Sequence, residues 1–136
     1  MSAVRRILVA DPSERERRET ARILQGAGYV VDTAADRAEV VRLLGQHAYD
    51  LVLADLKMRE LNGPAFYQLL KESCRTVPPV IFRIERGYTP EYANFLMRLA
   101  APVLMKPVPA AHLCQAVERH LPPTPAAPHA ASSLAS

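Results

Sequence analysis

Residues 50–58 read DLVLADLKM, in which four apolar residues, Leu51–Ala54, lie between two aspartates. An apolar run of this length suits a β-strand and is too short for a helix. Because polar and apolar residues do not alternate within it, both faces of the strand are expected to be covered. Such strands are typical of parallel sheets that carry helices on both sides.

Four further apolar runs, separated by roughly 20 to 30 residues, leave room for one helix between each pair. They are residues 7–10, 29–31, 80–82 and 103–105. Helix starts are indicated by the capping boxes Ser13 with Glu16 and Asp36 with Glu39, and by Pro64, Pro90 and Pro109 as first-turn residues. The 3.6-residue period assigns core positions that include Leu24, Ala27, Val40, Val41, Leu44, Phe66, Leu70, Leu113 and Val117. Five strand–helix units predict an α/β, flavodoxin-like fold, a doubly wound parallel sheet with strand order 2-1-3-4-5.

Charged residues follow three of these strands where they end. The first predicted strand ends at Asp11, the third at Asp55 and the fifth at Lys106. In doubly wound sheets, ligands bind beyond the carboxyl ends of the strands, at the point where the strand order reverses. We therefore expect these three side chains to share one crevice, with the ammonium balancing the two carboxylates. The alternative for Asp11 is a cap on the helix that follows it.

The ordered set of motifs resembles the response-regulator receiver family from about residue 4 to 121. The motifs are ILVAD at 7–11, DLVLADLKM at 50–58, Asn62-Gly63 and Lys106-Pro107. The resemblance implies that Asp55 accepts a phosphoryl group from a histidine kinase and that Lys106 pairs with that group. It also implies a magnesium site formed by Asp11, Asp55 and the Lys57 carbonyl, and a cis Lys106-Pro107 bond. Magnesium and phosphoryl oxygens suit these residue types.

Three positions depart from the pattern that the resemblance implies. Pro12 stands where receivers carry a second acid, so magnesium binding is predicted to be weak. Ile84 stands where they carry a Thr or Ser, and a register slip of one residue would place Arg83 or Glu85 there instead, again without a hydroxyl. Val103 stands where they carry a Tyr or Phe. These losses favour a pseudo-receiver that acts by protein–protein interaction, and the alternative is a conventional phosphorelay receiver phosphorylated on Asp55.

The fourth predicted helix is apolar nearly all round, which indicates a surface for a signalling partner or a homodimer that also uses the fifth strand and helix. The predicted interface residues are Tyr88, Tyr92, Phe95, Leu96, Leu99 and Val103. The alternative is that Phe95, Leu96 and Leu99 belong to the core.

Composition limits the other classes of function. The net charge is +3, but the basic residues of the first predicted helix alternate with acidic ones, and Glu14 and Arg18 are predicted to pair. Nucleic-acid binding is therefore not expected. No apolar run is long enough to span a membrane, which favours the cytoplasm. The sequence after Asp11 has no glycine-rich phosphate loop, so no enzymatic activity is predicted. Residues 1–121 are predicted to form the domain, and residues 122–136, rich in Pro and Ala, a flexible tail.

Overall fold

A computed structural model of the chain describes residues 4–87 and 90–127. The strands are β1 Arg6–Ala10, β2 Val30–Ala34, β3 Leu51–Asp55, β4 Lys57–Met58, β5 Leu61–Asn62, β6 Val80–Ile84 and β7 Val103–Met105. The helices are α1 Glu14–Gly26, α2 Arg37–Leu44, α3 Gly63–Ser73, α4 Pro90–Leu99 and α5 Ala110–His120. Within the described residues, no helix is both long enough and apolar enough to cross a membrane.

Five strands form one parallel sheet in the order β2-β1-β3-β6-β7. Counted among these five, the order is 2-1-3-4-5, which confirms the predicted doubly wound fold. The sequence did not predict the two-residue hairpin of β4 and β5, which are antiparallel. Met58 and Leu61 lie opposite each other in this hairpin and are both buried, so their apolar side chains hold it against the domain.

Local capping explains where the helices begin and end. Ser13 and Asp36 accept hydrogen bonds from the backbone N–H groups of Glu16 and Glu39, at 3.3 and 2.9 Å, as the capping boxes predicted. Pro64 and Pro90 lie in first turns, whereas Pro109 is the residue just before α5. After α1, Gly28 turns the chain with φ +99°, a conformation that favours glycine.

The sheet separates two apolar layers because side chains alternate between its faces. On one face, Ile7, Val9, Leu51, Leu53 and Ile81 pack with α1 and α5; we call this the α1–α5 layer. On the other, the alternate residues pack with α2, α3 and α4 in the larger α2–α4 layer. Most predicted core positions are buried, but Ala27 and Val41 are exposed. Ala27 lies one residue beyond the end of α1, and Val41 faces away from the buried side of α2, which carries Val40 and Leu44.

The beginning of the predicted tail lies against the amino-terminal edge of the sheet. Arg5 donates hydrogen bonds to the carbonyls of Pro122 and Pro123, at 2.5 and 3.1 Å, and the Ala126 N–H donates to the Asp50 carboxylate. Pro122, Pro123 and Ala126, at the start of the segment predicted to be a flexible tail, therefore contact the domain. The remainder of the predicted tail, 128–136, lies outside the described residues.

Candidate functional site

The three charged residues predicted to converge do lie together at the carboxyl-terminal edge of the sheet. The Lys106 Nζ atom is 3.2 Å from Oδ2 of Asp55 and 3.4 Å from Oδ2 of Asp11. Asp11 follows the last residue of β1, Asp55 ends β3, and Lys106 follows the last residue of β7. The ends of parallel strands share one edge, which is why residues 95 positions apart meet here. The Lys106-Pro107 bond is cis, as predicted.

A fourth charged side chain, Arg83, lies within the same group. Its Nη2 atom is 2.5 Å from Oδ2 of Asp11, and Nη1 donates to the Thr20 hydroxyl at 2.7 Å. Arg83 is only 5% exposed, and Asp11 is fully buried. Residue alternation explains the position, because Arg83 is paired with Asp55 in the sheet and lies two residues after Ile81 of the α1–α5 layer. From the sequence, Arg83 was expected only as a register alternative to Ile84, and its contact with Asp11 was not predicted.

Glu16 was also missed as a site residue. Its Oε1 atom is 3.2 Å from Lys106 Nζ, although its predicted role was confined to capping α1. The nearby Glu14 instead pairs with Arg18 on the surface at 3.7 Å, which confirms the predicted i,i+4 pair. The position of Glu16 in the first turn of α1 places it beside the ends of β1 and β7. We refer to Asp11, Glu16, Asp55, Arg83 and Lys106 as the charged cluster.

The charged cluster holds three carboxylates and two cations, and its backbone contacts fix the carboxylates further. Oδ1 of Asp11 accepts the Ser13 N–H at 2.8 Å, and Oδ1 of Asp55 accepts the Lys57 N–H at 3.3 Å. Burial alone would lower the pKa of Lys106, but the attraction of Asp55, Asp11 and Glu16 outweighs burial and raises it. Lys106 is therefore fully charged at neutral pH and bridges all three carboxylates.

Two of the three altered switch positions, Ile84 and Val103, offer no polar side-chain group to the carboxylates. Ile84 is 3% exposed and belongs to the α2–α4 layer, on the opposite face from Arg83. Its backbone carbonyl accepts the Lys106 N–H at 2.8 Å, but its side chain offers no donor to Asp55. Val103 is 36% exposed at the start of β7. An aliphatic side chain at each position replaces the hydroxyl and the aromatic ring that the resemblance implied.

Comparison with known proteins assigns the family. The sequence profile described as "Response regulator receiver domain" matches residues 7–118. The chain therefore belongs to the response regulator receiver family, the receiver domains of two-component systems.

Individual relatives agree with this assignment. The transcriptional regulatory protein GlrR of Escherichia coli (strain K12) is 35% identical over 97 residues, which cover 70% of this chain and 21% of that protein. The solved Vibrio cholerae chemotaxis protein CheY4 is similar with a TM-score of 0.77 and 26% identity, over 88% of this chain and 100% of that one. The response regulator receiver protein of Pseudomonas putida, at 23% identity and a TM-score of 0.77, covers 88% and 99% and supports the fold. The chain spans about a fifth of the length of GlrR.

Receiver domains usually bind Mg²⁺ at the phosphorylation site, and the donor set here does not fit that ion. Magnesium requires near-octahedral oxygen ligands at about 2.0–2.1 Å. Oδ1 of Asp11 already accepts a backbone N–H, and Oδ2 is shared by Arg83 and Lys106. The neighbouring Pro12 is exposed and supplies no side-chain oxygen. Among the residues that the structure describes, no group of three or more His, Cys, Asp or Glu side chains could hold a metal ion.

The predicted interface on the fourth helix requires correction. Leu96 is 7% exposed and lies within the α2–α4 layer, so it cannot provide a docking surface. Tyr92, Phe95 and Leu99 are partly buried and pack against the same layer, with the Phe95 ring edge-on to Phe82. Helix α4 uses these side chains to cover the sheet, which leaves fewer apolar residues for a partner. Tyr88 lies outside the described residues, and Val103 remains exposed with two methionines, Met97 at 79% and Met105 at 48%.

Proposed function

We propose that this receiver acts as a signalling module through protein–protein interaction, and that phosphorylation of Asp55 does not control its output. The observation that carries this proposal is the position of Ile84. Its side chain lies in the apolar α2–α4 layer and has no hydroxyl through which a phosphoryl group on Asp55 could act. A modification can shift a conformational equilibrium only if it interacts differently with the two states.

Val103 supports the same proposal. It stands at the start of β7, where the resemblance implied an aromatic ring that changes rotamer with the phosphorylation state, and a valine side chain cannot make that change. The exposed side chains of Met97, Val103 and Met105 belong to α4 and β7. This surface is our candidate for contact with a signalling partner, or with a second copy of the chain. We propose no enzymatic activity for the domain.

A conventional phosphorelay receiver is the second candidate, and one contact favours it. Lys106 Nζ lies 3.2 Å from Oδ2 of Asp55, where an ammonium would neutralise charge on a transferred phosphoryl group. Asp55 is 9% exposed, at the carboxyl-terminal edge of the sheet where ligands approach this fold. In this case a histidine kinase would be the phosphodonor.

One experiment separates the two candidates. The ¹⁵N-labelled protein is treated with acetyl phosphate and magnesium chloride, intact mass measures the phosphoryl adduct, and amide spectra record the response of α4 and β7. The proposed function predicts that the amides of Met97, Val103 and Met105 do not shift, whether or not an adduct forms. Shifts at these amides that disappear in Asp55→Asn and persist in the exposed control Glu60→Gln would establish the phosphorelay instead.

A further inference from the structure

Arg83 is the most buried of the arginines and lysines among the described residues. Removing a guanidinium from water is expensive, and such a group is retained when an opposite charge compensates it. Here the compensation comes from Asp11, which is itself fully buried and 2.5 Å away. Arg83 and Asp11 therefore form a buried ion pair at the carboxyl-terminal edge of the sheet.

The hydrogen bonds of Arg83 show that the ion pair, rather than a complete hydrogen-bond network, is what compensates its burial. Nη1 donates to Thr20 and Nη2 to Asp11, but the buried Nε–H has no partner among the described residues. An unpaired buried donor carries a cost. The arginine remains in place because its charge is matched.

The net charge of the charged cluster shows that Arg83 takes the place of a divalent cation. Without Arg83, three carboxylates would face one ammonium, and this excess negative charge would attract a divalent cation. With Arg83 present, the excess is a single negative charge, and the Asp11 oxygen facing the cluster is occupied by a guanidinium. A divalent ion at that oxygen would lie beside two fixed cations. Pro12 adds no further carboxylate to offset this repulsion.

We propose that Arg83 is the resident cation of the charged cluster: its guanidinium occupies the position on Asp11 that a divalent metal would need, so the site is assembled without one. The state of the site is then independent of the concentration of free magnesium and insensitive to chelators. Phosphorylation of Asp55 does not enter this inference, which therefore stands apart from the proposed function.

Titration of the ¹⁵N-labelled protein with MgCl₂, and with Mn²⁺ as a paramagnetic probe, tests the proposal with four chains. They are the wild type, Pro12→Asp, Arg83→Met and the double variant Pro12→Asp/Arg83→Met. We expect no saturable shift or selective broadening at the amides of Asp11, Asp55 and Lys57 in the wild type. We expect the same in Pro12→Asp, because restoring an acid does not remove the guanidinium. The double variant should show saturable magnesium shifts at these amides, with a Kd at least about tenfold below the highest magnesium concentration at which Pro12→Asp shows none, a difference of about 1.4 kcal/mol.

Two results would overturn the proposal. Saturable magnesium shifts at the three amides of the wild type would show that Arg83 leaves the metal position free. Tight binding by Pro12→Asp alone would show that the missing acid, rather than the arginine, excludes the ion. Both results come from chains that retain Arg83, so the test holds even if Arg83→Met is poorly folded. Arg86→Met, which removes an exposed arginine three residues later, controls for the change in net charge.

Discussion

Replacing Arg83 by methionine removes the buried guanidinium and keeps an unbranched side chain in the same space. Removing one partner of a buried ion pair typically costs about 3–5 kcal/mol, because the other charge is left uncompensated. Asp11 retains two contacts, the Ser13 N–H at 2.8 Å and Lys106 Nζ at 3.4 Å, and the unpaired Nε–H of Arg83 disappears. We therefore expect the lower end of the range, a loss of about 3 kcal/mol in the free energy of unfolding.

Urea unfolding followed by far-ultraviolet circular dichroism measures this loss, since the chain has no tryptophan to report by fluorescence. For a domain of this size, 1 kcal/mol corresponds to roughly 4 °C, so the melting temperature should fall by about 12 °C. The control Arg86→Met removes an exposed arginine and should stay within about 0.5 kcal/mol of the wild type. In a double-mutant cycle with Asp11→Asn, the two changes should be strongly non-additive, with a coupling energy of about 2 kcal/mol.

If Arg83→Met loses no more stability than Arg86→Met, the buried ion pair does not stabilise the fold. The same holds if the cycle gives no coupling between Arg83 and Asp11, because the contribution of Arg83 to stability would then come from packing alone. Arg83→Lys gives a further check: it keeps the charge but loses the two-pronged contact with Asp11 and Thr20. We expect its stability to lie between those of the wild type and Arg83→Met.

Three other perturbations follow from the structure. The pKa of Lys106 is raised by its three carboxylates despite burial, so its ion pairs stabilise the fold below the ordinary lysine pKa of about 10.4 and are lost as pH rises above it. Lys106→Met should therefore flatten the alkaline fall of unfolding free energy, while the exposed Lys71→Met should leave it unchanged. Tyr49→Phe removes a 2.8 Å hydrogen bond to Asp32 and should cost about 1 kcal/mol in urea unfolding. In the wild type, burial and this hydrogen bond raise the pKa of Tyr49, so the variant should lose a component at the high-pH end of the ultraviolet titration. Gly28→Ala places a Cβ at φ +99° and should cost about 1–2 kcal/mol in thermal unfolding.

The sequence predicted the sheet and the meeting of Asp11, Asp55 and Lys106 because both follow from short-range patterns. Apolar runs separated by capped helices define strand–helix units, and the handedness of such units leaves few arrangements of a parallel sheet. Residues at the ends of parallel strands then share one edge whatever their separation along the chain. The hairpin of β4 and β5 was missed because two residues per strand carry no detectable period.

The ion pair of Arg83 was not predicted because a single arginine after an apolar run is usually the first exposed residue beyond a strand. A signal was nevertheless available. The predicted order places this strand inside the sheet, so both of its faces are covered and its charged residue needs a buried partner. Asp55 and Arg83 are register partners, and Asp11 directly follows the neighbouring strand β1, with its side chain on the same face as Arg83. Sequence period and topology together would have predicted the ion pair.

The fourth helix shows the opposite error. Its apolar residues on all sides suggested a docking surface, but Leu96 and its partly buried neighbours cover the end of the sheet. The number of α4 side chains that pack against the sheet depends on the space between the helix and the strands, which the sequence alone does not show. Of the large apolar side chains that stay exposed on α4 and β7, Val103 was among the predicted interface residues, whereas Met97 and Met105 were not.

The contacts of Arg5 with Pro122 and Pro123 place the two prolines at the end of the domain opposite the charged cluster. They lie at the amino-terminal edge of the sheet, and five-residue strands separate that edge from Asp55 by about 17 Å. A molecule that approaches Asp55 from solution therefore meets neither proline, and substitutions at Pro122 or Pro123 should leave access to the charged cluster unchanged.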